Sequence, residues 1–201
     1  MTNKTKPNVL LLYPKTGLDF GSTVAPPHAL LSIAAPVLEA GYSVTILDQR
    51  TQTITDELLK ECVSSGLICV GISTMTGTQI SNALNLAKKI RRLTDGAVPL
   101  IWGGCHPSVM PEQTLEHEDV DVVVIGEGDA TFVELVRALD TGSDLRDVSG
   151  VMFKDNGEIV RTPKRELLDV ERLLPVPWEL LDVEKYIHSD MYVKDKGRIL
   201  D

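Results

Sequence analysis

Three short stretches of the chain concentrate glycine, serine and threonine: Ser73-Thr74-Met75-Thr76-Gly77, Gly103-Gly104-Cys105-His106-Pro107-Ser108 and Gly126-Glu127-Gly128-Asp129-Ala130-Thr131. A fourth, Tyr13-Pro14-Lys15, opens a longer glycine-containing run that ends at Ala25-Pro26-Pro27. Glycine lets a backbone approach a ligand closely. Serine and threonine at a helix start offer hydrogen bonds where the helix dipole favours anions. Such a lining suits the binding of a broad ligand with amide and phosphate groups, and no residue is assigned to catalysis. Taken singly, each stretch is accounted for by turn residues and helix caps. Three stretches sharing one lining point instead to a site. The cysteines, Cys62, Cys69 and Cys105, are odd in number and none is spaced like a zinc or iron–sulfur ligand pair. Cys69 lies in an apolar run and reads as core.

The elements that would position these stretches alternate in kind. Residues 8–13, 43–47, 67–72, 98–102 and 120–125 are short β-branched runs, and residues 29–40, 55–64, 79–93, 111–116 and 131–139 carry helical spacing. Five strands separated by helices predict an α/β fold with a doubly wound parallel sheet of Rossmann-like type. The runs LICVGIS and DVVVIGEG are apolar almost throughout, as expected of strands covered on both faces. Gly41 fits a helix C-cap, and Asp95-Gly96 ends the long third helix. In that helix Ile80, Ala83, Leu84, Ala87 and Ile90 fall on one stripe, with Lys88, Arg91 and Arg92 outward. Ligands of such sheets bind beyond the carboxyl ends of the strands, so the small-residue stretches form one site. After residue 142 the character changes. Residues 148–153 and 158–161 read as two strands around Asp155-Asn156-Gly157, followed by the proline-punctuated LLPVPWELLD and a polar end. Residues 1–142 are therefore expected to bind the ligand, and 143–201 to form a hairpin and connector.

Composition narrows the function. Hydrophobic residues make up 43% of the 201, enough for a packed core, and the formal net charge of -9 argues against a nucleic-acid partner. The apolar run near the start is cut short by Pro14, too short for a signal peptide or membrane span, which reads as a cytoplasmic protein. A dinucleotide fold needs G-x-G-x-x-G after the first strand, where this chain has Tyr13-Pro14-Lys15-Thr16-Gly17. Asp48 sits where a ribose-binding acid would, but lacks that glycine turn as a companion. A phosphoacceptor receiver would carry acids after the first strand, an aspartate after the third and a lysine after the fifth. The residues at those places are Tyr13-Pro14, Ser73 and Gly126.

Four stretches resemble one family: PPHALLSIAAPVLEAGYSVTILD, VGISTMTGTQISNALNLAKKIR, WGGCHPSVMPEQTL with DVDVVVIGEGDATFVELVRAL, and LPVPWELLDVEKY. The third is the most specific. The chain resembles the B12-binding domain that precedes the radical S-adenosylmethionine (SAM) domain in anaerobic magnesium-protoporphyrin ester cyclases and B12-dependent radical SAM methyltransferases.

The resemblance implies that the chain holds cobalamin, as methylcobalamin or hydroxocobalamin. SAM and a [4Fe-4S] cluster would belong to a C-terminal radical SAM domain, reached through a linker at 174–186. That domain's C-x3-C-x2-C motif does not occur before Asp201, so the chain reads as the N-terminal portion of such an enzyme, a methyltransferase or alternatively a cyclase. Other B12 domains carry D-x-H-x-x-G after the first strand, with the histidine on cobalt. Here Asp19-Phe20-Gly21 offers none, and His28 reads as a helix start. The implied cofactor is thus bound with its dimethylbenzimidazole base detached and no histidine on cobalt. By resemblance, Ser73, Thr74, Met75 and Thr76 lie under or beside the corrin ring, with Pro14 at the same edge. Gly103, Gly104, His106 and Pro107 would flank the detached tail, and Gly126, Glu127 and Gly128 would contact the nucleotide loop. Met75 serves equally as a filler beneath cobalt or as ordinary core. His106 is a tail contact or a loop hydrogen bond. Rival readings are a scaffold of the same fold that has lost B12, and a flavodoxin-like redox module.

Overall fold

The computed structural model describes residues 9–17, 24–189 and 198–200. Asn8 and Asp19-Phe20-Gly21 lie outside them. In chain order the main elements are β1 (Val9–Tyr13), α1 (His28–Glu39), β2 (Val44–Asp48), α2 (Asp56–Val63), β3 (Cys69–Ser73) and α3 (Thr78–Thr94). There follow β4 (Leu100–Gly103), α4 (Cys105–Val109), α5 (Pro111–Glu116), β5 (Val122–Val124), α6 (Asp129–Thr141), β6 (Val151–Asp155) and β7 (Glu158–Arg161). A separate pair, β8 (Ile187–Ser189) and β9 (Arg198–Leu200), ends the described chain.

The α/β architecture is the one expected, with a larger sheet. Its order is β2-β1-β3-β4-β5-β6-β7. The first five strands pair in parallel, and the hairpin β6–β7 continues the same sheet antiparallel to β5. The sequence places that hairpin in the connector. It joins the sheet because Val151, Met152 and Phe153 are buried against the exposed flank of β5. Its turn is Asn156-Gly157, both at positive φ (49° and 86°), which suits the twist of a two-residue hairpin. That turn sets Asp155 opposite Glu158, and the strand itself starts at Val151 rather than at 148.

Residues of one strand alternate between the two faces. Val9, Leu11, Cys69, Ile101 and Val124 meet α1 and α6 on one side, and Leu10, Leu12, Val70, Leu100 and Trp102 meet α2, α3 and α5 on the other. In α3 the buried stripe is Gln79, Ala83, Leu86, Ala87 and Ile90, so Leu86 rather than the half-buried Leu84 faces the sheet. Arg91 is also turned in, bonding Asp121 Oδ1 at 2.6 Å while Asp121 Oδ2 accepts from the Leu100 N–H at 2.7 Å. The short helix α4 was not expected from the sequence.

The end of β2 explains Asp48. Its carboxylate, 2% exposed, accepts two bonds from the Arg50 guanidinium (3.0 and 2.7 Å), one from the Arg50 N–H (2.9 Å) and one from the Tyr186 hydroxyl (3.0 Å). Arg50 also donates to the Ala25 carbonyl at 2.7 Å and lies 4.1 Å over the Tyr13 ring. This buried pair joins the end of β1, the run before α1 and the C-terminal connector. Trp178 of that connector meets His28 edge to face, with ring centroids 5.2 Å apart.

Breaking a buried pair strands a charge. Asp48→Ala should lower the unfolding free energy by about 3–5 kcal/mol, and Tyr186→Phe by about 1 kcal/mol, both read by urea denaturation. Burial pushes the Cys69 thiol up from 9.0 to about 12. The unfolded thiol loses its proton first as pH rises, so this part of the stability is whole below about 9 and fades toward about 12. Tyr186 is raised as well, chiefly by burial. Cys69→Ala should therefore flatten, without abolishing, the alkaline loss of stability; an unchanged slope would refute it.

Candidate functional site

The carboxyl ends of β1, β3, β4 and β5 lie side by side, and their loops are tied to one another by specific bonds. The Gln79 side chain, 2% exposed, donates to the Pro14 carbonyl (2.9 Å) and accepts from the Met75 N–H (2.7 Å), joining the first and third loops. The Thr74 N–H donates to the Gly103 carbonyl (2.9 Å) and the Thr74 carbonyl accepts from the His106 N–H (3.2 Å), joining the third and fourth. Ser108 Oγ donates to the Gly104 carbonyl (2.8 Å) and accepts from the Gly126 N–H (3.0 Å), joining the fourth and fifth.

Gly104 makes the third–fourth junction possible. Its φ is +98°, and a Cβ there would stand 2.7 Å from the Thr74 carbonyl oxygen. No other residue fits that conformation and that approach together.

Beneath this edge a cavity of about 270 Å³ opens between the sheet and helices α1 and α6. Its floor is read directly from the strand register: Gly71 lies beside Ile101 and Ser73 beside Gly103, with Val124 on the next strand. The period of two brings all five to one face. Leu30, Ile33 and Phe132 form the opposite wall. At its mouth, Ser32 of α1 donates to Asp129 Oδ1 of α6, and Ile33 approaches so near that a Cβ on Gly128 would lie 3.0 Å from its methyl.

Of the site residues expected from sequence, Ser73, Gly103, Gly104, Gly126, Glu127 and Gly128 line this cavity. Pro14, Thr74, Met75, Thr76, His106 and Pro107 do not line it and occupy the loops around it. Met75 is 43% exposed on that edge. Thr74 is fully buried, and its hydroxyl has no hydrogen-bond partner. His106 is buried, with Nδ1 3.4 Å from the Thr76 hydroxyl. Glu127 Oε2 accepts from the Leu168 N–H at 2.7 Å, linking the rim to the connector. Sequence reading missed Ser32, Ile33, Gly71 and Phe132. Only Gly71 left a signal, as a lone glycine inside an apolar strand, which marks a close approach of other groups. A Cβ there would meet Leu11 at 2.7 Å and Phe132 at 3.1 Å.

The arrangement offers an apolar slot with a polar lip. Among the described residues no helix is long and apolar enough to cross a membrane.

Residues 21–136 match the family model of the B12 binding domain. The anaerobic magnesium-protoporphyrin IX monomethyl ester cyclase of Synechocystis sp. is 33% identical over 181 residues, 87% of this chain and 35% of that protein. The cytidylyl-2-hydroxyethylphosphonate methyltransferase of Streptomyces wedmorensis is 28% identical over 165 residues, 73% of this chain and 31% of that protein. The chain thus spans about a third of the length of these relatives. Among solved structures, the radical SAM methyltransferase TsrM from Kitasatospora setae with cobalamin and a [4Fe-4S] cluster bound is similar at a TM-score of 0.66 and 25% identity, over 77% of this chain and 30% of that one. The cobalamin-dependent SAM radical enzyme OxsB with aqua-cobalamin bound shares the fold, at a TM-score of 0.66 and 21% identity over 80% of this chain and 23% of that one. With more than half of its length inside the family model, a parallel sheet as its frame and a small-sided slot at the carboxyl edge, the chain belongs to the B12-binding domain family.

Proposed function

We propose that this chain is the cobalamin-holding module of a B12-dependent radical SAM enzyme, binding the cofactor with its base detached and with no protein histidine on cobalt. The cavity behind the sheet's lip carries this reading, because a detached base needs a slot and large side chains there would have closed it. The residues fit. Gly103 faces open space with only Val124 near (3.8 Å), and Ser73 beside it lines the slot. Bound cobalamin would supply a carrier for an alkyl group, a methyl group in a methyltransferase.

The residues divide the work. Ser73 lies at the sheet end of the slot, where its hydroxyl suits the base or the phosphate of the tail. Met75 and Thr76, exposed on the edge, would border the corrin face, with the buried Pro14 and Thr74 supporting them from beneath. Gly103 and Gly104 remove bulk at the entrance, and His106 and Pro107 support them from the fourth loop. Gly126, Glu127 and Gly128, which line the slot, would border the nucleotide loop. His28, engaged edge-on with Trp178, begins α1 and is not the cobalt ligand in this reading. Residues 1–142 would hold the cofactor and 143–201 would lead to a domain supplying SAM and the [4Fe-4S] cluster. Methyl transfer is the reading adopted. The cyclase reading has its own support in the 33% identity to the Synechocystis protein.

Titration of the chain with cobalamin, followed by visible absorbance, should show the spectrum of a detached base at micromolar cofactor. No spectral change would favour a scaffold that has lost B12. Ser73→Trp should abolish retention while circular dichroism stays unchanged; full retention by a folded variant would move the slot elsewhere.

A further inference from the structure

The cavity's size and chemistry suggest which base it takes. At about 270 Å³ it falls just short of the ~300–1,000 Å³ usual for a whole small-molecule ligand, so it has room for one flat bicyclic group. Its floor and far wall are hydrocarbon: Ile101, Val124, Leu30, Ile33 and Phe132. The strand backbones beneath them spend their N–H and C=O groups on the sheet ladder. Ser32 is already bonded to Asp129. Glu127, on the rim, accepts from the connector. Among the described residues lining the cavity, Ser73 therefore offers the one side-chain hydroxyl not already bonded.

We infer that this slot selects among cobamides by their lower base, accepting an apolar bicyclic base with one free ring nitrogen and discriminating against a purine. The inference rests on the cobalamin reading above and deepens it. Detached 5,6-dimethylbenzimidazole exposes one ring nitrogen, which the Ser73 hydroxyl satisfies, and two methyl groups, which the hydrocarbon walls cover. Adenine exposes several ring nitrogens and an exocyclic amine. Asp129 and Glu127 keep acceptor capacity at the mouth, but the hydrocarbon floor and far wall offer none, so adenine's polar groups that reach them stay unpaired, and each polar group buried without a partner costs affinity.

The test compares cobalamin with the cobamide that differs only in carrying adenine in place of dimethylbenzimidazole. Both are titrated into the chain, and each affinity is corrected for the free cofactor's own equilibrium between attached and detached base. Cobalamin should bind at least about tenfold more tightly. Val124→Thr, which adds a hydroxyl to the floor at nearly unchanged size, should shrink that ratio. Equal affinities for the two cofactors, or a ratio unmoved by Val124→Thr, would overturn the selectivity while leaving the cobalamin reading in place. Failure of both cofactors to bind would overturn that reading and the selectivity with it.

Discussion

A parallel sheet covered on both faces can hold a cavity only where side chains are missing. In this chain that condition is met at two neighbouring strands. Gly71 in β3 and Gly103 in β4 leave the floor low, and the register places Ser73 beside Gly103 at the outer end. A Cβ on Gly71 would stand 3.1 Å from the Phe132 ring and 2.7 Å from Leu11, closer than van der Waals contact, so the same absence admits the ring and shapes the slot. The cavity is thus a property of the hydrophobic core, made by omission rather than by a separate binding loop.

The loops above the floor hold their shape through short-range bonds. Gln79 spans the first and third, Thr74 the third and fourth, and Ser108 the fourth and fifth. Each of these bonds involves at least one backbone group. Opposite, α1 and α6 are clasped by Ser32 and Asp129 and by the contact of Ile33 with Gly128. One wall is therefore pinned by polar contacts at its mouth and filled by leucine, isoleucine and phenylalanine deeper in.

Much of this was legible in the residues. Short β-branched runs marked the five parallel strands, and the loops after β3, β4 and β5 declared themselves by their glycines. Asp95 and Gly96 closed α3 where expected, in left-handed backbone. What the sequence hid was tertiary. The hairpin's place in the sheet depends on the flank of β5, which no local pattern reveals. The helix residues of the slot, Ser32, Ile33 and Phe132, look like any core-facing or capping positions until α1 and α6 are brought together. Asp48 is the clearest case: as a lone acid at the end of β2 it suggests a ribose contact, whereas its partners Arg50 and Tyr186 are 2 and 138 residues away and make it a structural anchor.

Glu127 stands in two places at once. It lines the slot, and its carboxylate receives the Leu168 N–H from the connector. A ligand that displaced or tightened Glu127 would change the order of the connector, and anything holding the connector still would change the ligand's affinity by the same factor, because linkage is reciprocal. The rim is in that sense shared property: one carboxylate serves both the slot and the connector.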